Sequence, residues 1–148
     1  MVKLVLNERE LQAKQGVMIV LSYFVLFVCN VLAIYLANLL FPTFVVLGTF
    51  ALTPFWALML AGTELSLIGL LVMLLVPYKE WKTKKDLKPT DWMKLYFVVN
   101  TVSLYLVTRF AEIYGLGVSS WVVIIALALF MDVAQGMAMM QLGKVKIK

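Results

Sequence analysis

Between Gly16 and Pro77 the chain carries a single formal charge, Glu64. A water-soluble domain draws about a quarter of its residues from the charged types to build its surface. Here only 14% are charged and 64% are hydrophobic. Crossing a roughly 30 Å hydrocarbon layer takes an apolar helix of about 20 residues. Four such runs can be read, at about Gly16–Phe41, Pro54–Pro77, Lys94–Tyr114 and Val118–Leu142. The expectation is an all-α integral membrane protein, a four-helix bundle forming one transmembrane domain over residues 1–148.

The remaining charges set an orientation. Basic residues gather in three patches: Lys3, Arg9 and Lys14; Lys79, Lys82, Lys84, Lys85, Lys88 and Lys94; and Lys144, Lys146 and Lys148. The other two connections, near 42–53 and 115–120, carry no charge. Lysine and arginine concentrate in the short loops on the cytoplasmic side. Four spans put all three patches on that side, giving a multi-pass cell-membrane protein with both termini and the loop 79–93 cytoplasmic. The net charge of +5 then points to anionic lipid headgroups at the lysine loop rather than to nucleic acid.

Local signals agree with this plan. Asn7 and Glu10 have the spacing of a capping box, placing a helix start near Glu8. Pro42 ends the first span, Thr53-Pro54 reads as an N-cap with proline at the first helical position, and Thr90 is a cap candidate for the third. Tyr78, Trp81, Trp92 and Tyr96 mark one membrane boundary, and Trp56, Tyr114 and Trp121 the other. The uncharged connection TFVVLGTFALT (43–53) is expected to fold over the top of the helices, lie in the interface or pack on another subunit. Simple prolongation of the helices is the alternative. The first apolar run is too long for a signal-peptide core.

One stretch occurs twice. FVCNVLAIYL (27–36) and FVVNTVSLYL (97–106) share Phe, Val, Asn, Tyr and Leu at matched positions. Leu47-Gly48 and Leu116-Gly117 follow them, and then a returning span with Trp56 or Trp121 near its start. Two tandem, pseudo-repeated transmembrane hairpins of the same orientation are therefore expected, related by an axis along the membrane normal. The segments NTVSLYLVTRFAEIYGLGVSSWVVIIALAL and NVLAIYLANLLFPTFVVLGTFALTPFWALML resemble the four-helix phage-holin superfamily that includes the YvlD-like proteins. There an asparagine-bearing span ends in a short turn and a Gly/Trp-bearing segment opens the next. The resemblance implies a holin-like membrane form and supplies no catalytic residues.

Ionisable groups inside a span cost about 2.5–3.5 kcal/mol each on insertion scales, so they face protein or water. Glu64, Arg109, Glu112 and Asp132 are such groups. At 1.5 Å per helical residue, Glu64 and Arg109 fall at similar depth, and Arg109 can also reach Glu112 three residues along its helix. Two readings stand: an ion or proton path lined by Glu64 and Asp132, or a neutralised Glu64–Arg109 pair that fixes helix register, with Asp132 held by Gln135 or an asparagine. The second is preferred. Asn30 and Asn100, with Asn38 and the stripe Thr101, Tyr105, Thr108 and Glu112, read as polar glue between helices.

Gly62, Ser66 and Gly69 form a small-residue strip on the second span, and Ala134, Gly136 and Ala138 smooth the fourth. Such faces pack helices closely, within one chain or between chains. Met137, Met139 and Met140 read as packing residues rather than metal ligands. Cys29 is alone in mid-span and there is no histidine, so neither a disulfide within the chain nor a metal site is expected. No phosphate loop or nucleophile–base pair is found, so no cofactor and no enzymatic activity are expected. The favoured function is a self-associating, homo-oligomeric membrane protein of holin-like form. The alternative is an oligomeric ion or proton channel or secondary transporter using Glu64, Asp132 and Arg109.

Overall fold

The computed structural model describes residues 2–83 and 88–143. Helix α1 (Val2–Leu40) leads to a short strand β1 (Val45–Leu47), and α2 (Pro54–Thr83) runs back. Helix α3 (Pro89–Arg109), one turn of helix α4 (Ala111–Tyr114), strand β2 (Leu116–Val118) and α5 (Trp121–Gly143) repeat that course. The chain is mostly helical, as expected, with a two-stranded sheet added. Three helical stretches are long and apolar enough to cross a membrane: Gln12–Leu40, Pro54–Val76 and Trp121–Leu142. Helix α3 is of comparable length, but Asp91, Lys94, Asn100, Ser103 and Arg109 make it more polar.

Apolar residues run around the full circumference of α1, α2 and α5, a pattern that suits helices meeting protein on one side and lipid on the other. Helix α1 packs against α2 and α5, and α3 packs against α2 and α5. Leu26, Ile34, Leu65, Leu104, Val107 and Met131 fill the interior, with Ala33, Ala57, Ala61 and Ala128 thinning the helix faces where they meet. Gly62 permits the closest approach, since a Cβ there would lie 2.6 Å from Val31 Cγ2. Overpacking of this kind costs about 1–3 kcal/mol. Gly62→Val is therefore expected to lower stability in detergent by about 2 kcal/mol, measured by SDS titration, and Val31→Ala should restore much of it.

The element boundaries follow from proline and glycine. Helix α1 ends two residues before Pro42 and α2 opens at Pro54, as the sequence indicates. Four expectations change. Helix α1 is already helical at Val2, because nothing among residues 2–6 interrupts it, so Asn7 and Glu10 sit inside the helix rather than at its start. Helix α3 begins at Pro89 with Lys88 as its N-cap in extended conformation. Proline disfavours helical backbone in the residue before it, and this moves the cap upstream of Thr90. The third run is not continuous to Tyr114: Phe110 leaves helical geometry at φ −102°, ψ 41°. Arg109 and Glu112 therefore lie on different elements. The lysine segment is also shorter than a 79–93 loop, since α2 runs to Thr83 and α3 starts at Pro89; residues 84–87 lie outside the described residues.

The two uncharged connections meet each other. Strands β1 and β2 pair antiparallel, Val45 with Val118, Val46 with Gly117 and Leu47 with Leu116. The Gly48 N–H donates to Gly115 O at 2.8 Å and the Ser119 N–H to Phe44 O at 2.9 Å, extending the ladder at both ends. Away from water an unpaired backbone group costs several kcal/mol, and the pairing removes that cost for both segments at once. Val45 and Leu116 are buried on the helical core with Leu47 and Val118 beside them, while Val46 faces out. The Asn38 amide Nδ2 donates to Val45 O at 2.7 Å and ties β1 to the end of α1.

Candidate functional site

Both repeated asparagines point inward and share one partner. The Asn100 amide on α3 donates through Nδ2 to Gln135 Oε1 on α5 at 3.0 Å. The Gln135 amide donates through Nε2 to Asn30 Oδ1 on α1 at 2.6 Å. The Asn30 amide in turn donates through Nδ2 to Ser66 Oγ on α2 at 2.9 Å, and the Ser66 hydroxyl donates to Gly62 O on its own helix at 2.5 Å. One residue from each long helix thus contributes to a chain of donors running in a single direction. Asn30, Ser66, Asn100 and Gln135 are all buried. No buried side-chain nitrogen or oxygen among the described residues lacks a partner. Hydrogen bonds in such a chain polarise one another in a low-dielectric interior, so it fixes the relative register of all four helices.

Below this relay, toward the end of the helices that carries the lysines, residues mainly of α3 and α5, with Leu26 of α1 and Met73 of α2, line a cleft of about 510 Å³. Met73, Met93, Met137, Met139 and Met140 are five of its twelve lining residues, with Leu26 and Val133 beside them. Trp92 and Tyr96 supply an aromatic side, their rings stacked with centroids 5.9 Å apart. The Tyr96 hydroxyl donates to Gly69 O at 3.4 Å, securing α3 to α2. Asp132 lies in the lining, three residues before Gln135, and is only 6% exposed. Its carboxylate oxygens accept no hydrogen bond among the described residues and are open to the cleft rather than sealed in the interior. Gly136 opens the wall, and a Cβ added there would meet nothing within 4 Å.

The residues singled out by sequence separate into groups. Asn30, Ser66, Asn100 and Gln135 come together in the relay, and Gly62 lies at its end. Asp132 and Gly136 belong to the cleft. Arg109 and Glu112 are exposed near the sheet, and Glu64 is half-buried on α2. No Glu64–Arg109 ion pair is present among the described residues, and Glu64 does not line the cleft. Gln135 does not hold Asp132; its amide is engaged on both sides by asparagines. The strip Gly62, Ser66 and Gly69 packs within the chain against Val31, Asn30 and Leu26 of α1.

Other glue candidates turn to their own helix. Thr101 Oγ1 donates to Phe97 O and Thr108 Oγ1 to Tyr105 O, while the Tyr105 ring stacks on Trp121 at 4.5 Å. The inward polar face of α3 is Asn100 and Ser103 instead. Met137 and Met140 are exposed, so these two and Met139 line a cleft, whereas Met131 alone of the α5 methionines fills the core. Sequence reading missed the cleft, as it missed Met73, Met93, Trp92 and Tyr96 as its lining. The available signal was the run of methionines following a lone carboxylate in α5. Comparison with protein-family models, curated proteins and solved structures gives no match to this chain.

Proposed function

We propose that the protein is a four-span membrane protein that binds a small amphipathic molecule in the cleft between α3 and α5, the binding step of a small carrier. Three spans follow from length and apolarity. Support for α3 as the fourth is its packing against two of them and the hydrogen bond from Asn100 to the middle of α5, which its polar residues make from the inside. An even number of spans keeps all the lysine patches on one face, with anionic headgroups as their partners. The matched course of the two hairpins and the antiparallel pairing of their connections support a pseudo-repeat.

A single observation carries the binding assignment: an inward carboxylate, 6% exposed, on the wall of an otherwise largely apolar cleft of about 510 Å³. Small-molecule sites are mostly apolar concavities of about 300–1,000 Å³ with a few convergent polar groups. The transport alternative is thereby narrowed to Asp132, since Arg109, Glu112 and Glu64 lie elsewhere. Holin-like self-association would need a face other than the Gly62–Gly69 strip, which α1 occupies.

The test uses the neutral apolar fluorophore N-phenyl-1-naphthylamine on protein in nanodiscs. A ligand at 100 times its dissociation constant stabilises the folded state by about 2.7 kcal/mol, so the wild-type melting temperature should rise by several degrees. Gly136→Phe should fill the cleft and remove the rise. Gly136→Ala should keep the rise and melt no lower without ligand, because it meets open space and removes a helix-interior glycine, worth about 1 kcal/mol. An equal rise in Gly136→Phe and wild type would rule the cleft out as the binding site.

A further inference from the structure

The cleft's chemistry is asymmetric in charge. Asp132 is a carboxylate that is only 6% exposed, and no basic side chain of the described residues appears in the lining with it. A buried charge is tolerated when it is paired, and among the described residues the pairing site here opens onto the cleft rather than onto a basic side chain. The aromatic side adds to the same preference. Trp92 and Tyr96 lie stacked on the lining, and such ring faces attract organic cations within about 6 Å. The methionines supply a polarisable wall that adapts to apolar bodies of different shape. An anion would meet the carboxylate and the electron-rich ring faces with no cationic side chain among the described lining residues; the Gln135 amide is engaged by the two asparagines and the Tyr96 hydroxyl by Gly69 O, which leaves the neutral Trp92 indole N–H as a donor.

Resting on the binding assignment above, we propose that the cleft selects monovalent organic cations with an apolar body. Asp132 is the counter-ion, Trp92 and Tyr96 flank the charge, and the methionine wall receives the rest of the molecule. Gln135 couples the site to the relay, because it belongs both to the lining and to the hydrogen-bond chain. Hard inorganic cations are excluded, since one carboxylate among thioethers and rings cannot replace a hydration shell.

Tetraphenylphosphonium and tetraphenylborate form the matched probes, alike in size and opposite in charge. Equilibrium binding to wild-type protein in uncharged-lipid nanodiscs should be tighter for the phosphonium than for the borate by about tenfold or more. Asp132→Asn should weaken the phosphonium by a similar factor, with its fold checked by far-UV circular dichroism, and Asp132→Glu should retain phosphonium binding. Equal affinity for the two ions in wild type overturns the charge selectivity and needs no variant that might misfold. So does undiminished phosphonium binding by a folded Asp132→Asn. If the neutral probe binds and charge makes no difference, the cleft assignment stands and the cation assignment falls. If none of the three probes binds, both fall.

Discussion

Replacing Gln135 by leucine should cost the folded protein about 2–3 kcal/mol in detergent. The substitution keeps much of the volume and leaves two buried groups without partners, the Asn100 amide and the Asn30 carbonyl oxygen. A stranded buried polar group costs about 1–3 kcal/mol. The low end applies here, because interhelical hydrogen bonds in membranes average only about 0.6 kcal/mol when unfolded helices also find partners. The triple substitution Asn30→Leu, Asn100→Leu and Gln135→Leu removes all three amides together. It should recover stability to within about 1 kcal/mol of wild type, since removing both partners of a buried bond is nearly neutral. SDS titration followed by far-UV circular dichroism measures both. A triple variant as weak as the single one would mean that side-chain shape, not the relay, decides stability at this level.

Gly115→Ala should have an effect at least as large, by another mechanism. Gly115 has φ +71° and caps α4, a left-handed conformation that costs other residues about 1–2 kcal/mol. Its added Cβ would also run into the Ala57 side chain and lie 3.2 Å from Ala57 Cα, with an overpacking cost of about 1–3 kcal/mol. The sum is about 3–4 kcal/mol, read as a loss in the same titration. Ala57→Gly in the same chain should return the contact part and leave the conformational part. Gly117→Ala, two residues on, is the control: its nearest neighbour would be Val46 Cβ at 3.9 Å, and the expected change is within about 0.5 kcal/mol.

The long apolar helices were legible because a single charge between Gly16 and Pro77 leaves apolar runs of the length that crosses a membrane. The inward role of Asn30 and Asn100 was legible for a related reason: a buried amide must be paired, and paired amides draw helices together. The identity of the partner was not. Gln135 and Asn30 are separated by 105 positions, and nothing local in either segment encodes that they meet. The strand pair was hidden likewise, because three apolar residues in a connection look the same whether they prolong a helix or pair with a distant segment. The cleft is a place where side chains fail to fill space. A sequence records what is present, so Met137, Met139 and Met140 read as packing, and only the folded arrangement shows that they face a cleft. The unpaired state of Arg109 follows from the break at Phe110, where no proline or glycine gave warning.

The relay and the strand pair sit at two heights, and the cleft lies beyond both. From the sheet down to Gln135 the second hairpin is pinned, first by β2 against β1 and then by Asn100. Farther along, Tyr96 secures α3 to α2, and no side-chain hydrogen bond among the described residues reaches the last two turns of α5. The molecule is built like a pair of tongs with its pivot at the amide of residue 135. One arm is braced by side-chain hydrogen bonds, and the other, bearing Met137, Met139 and Met140, has none among the described residues, so a guest seated in the jaws would trade only packing contacts and leave the rivet and handle intact.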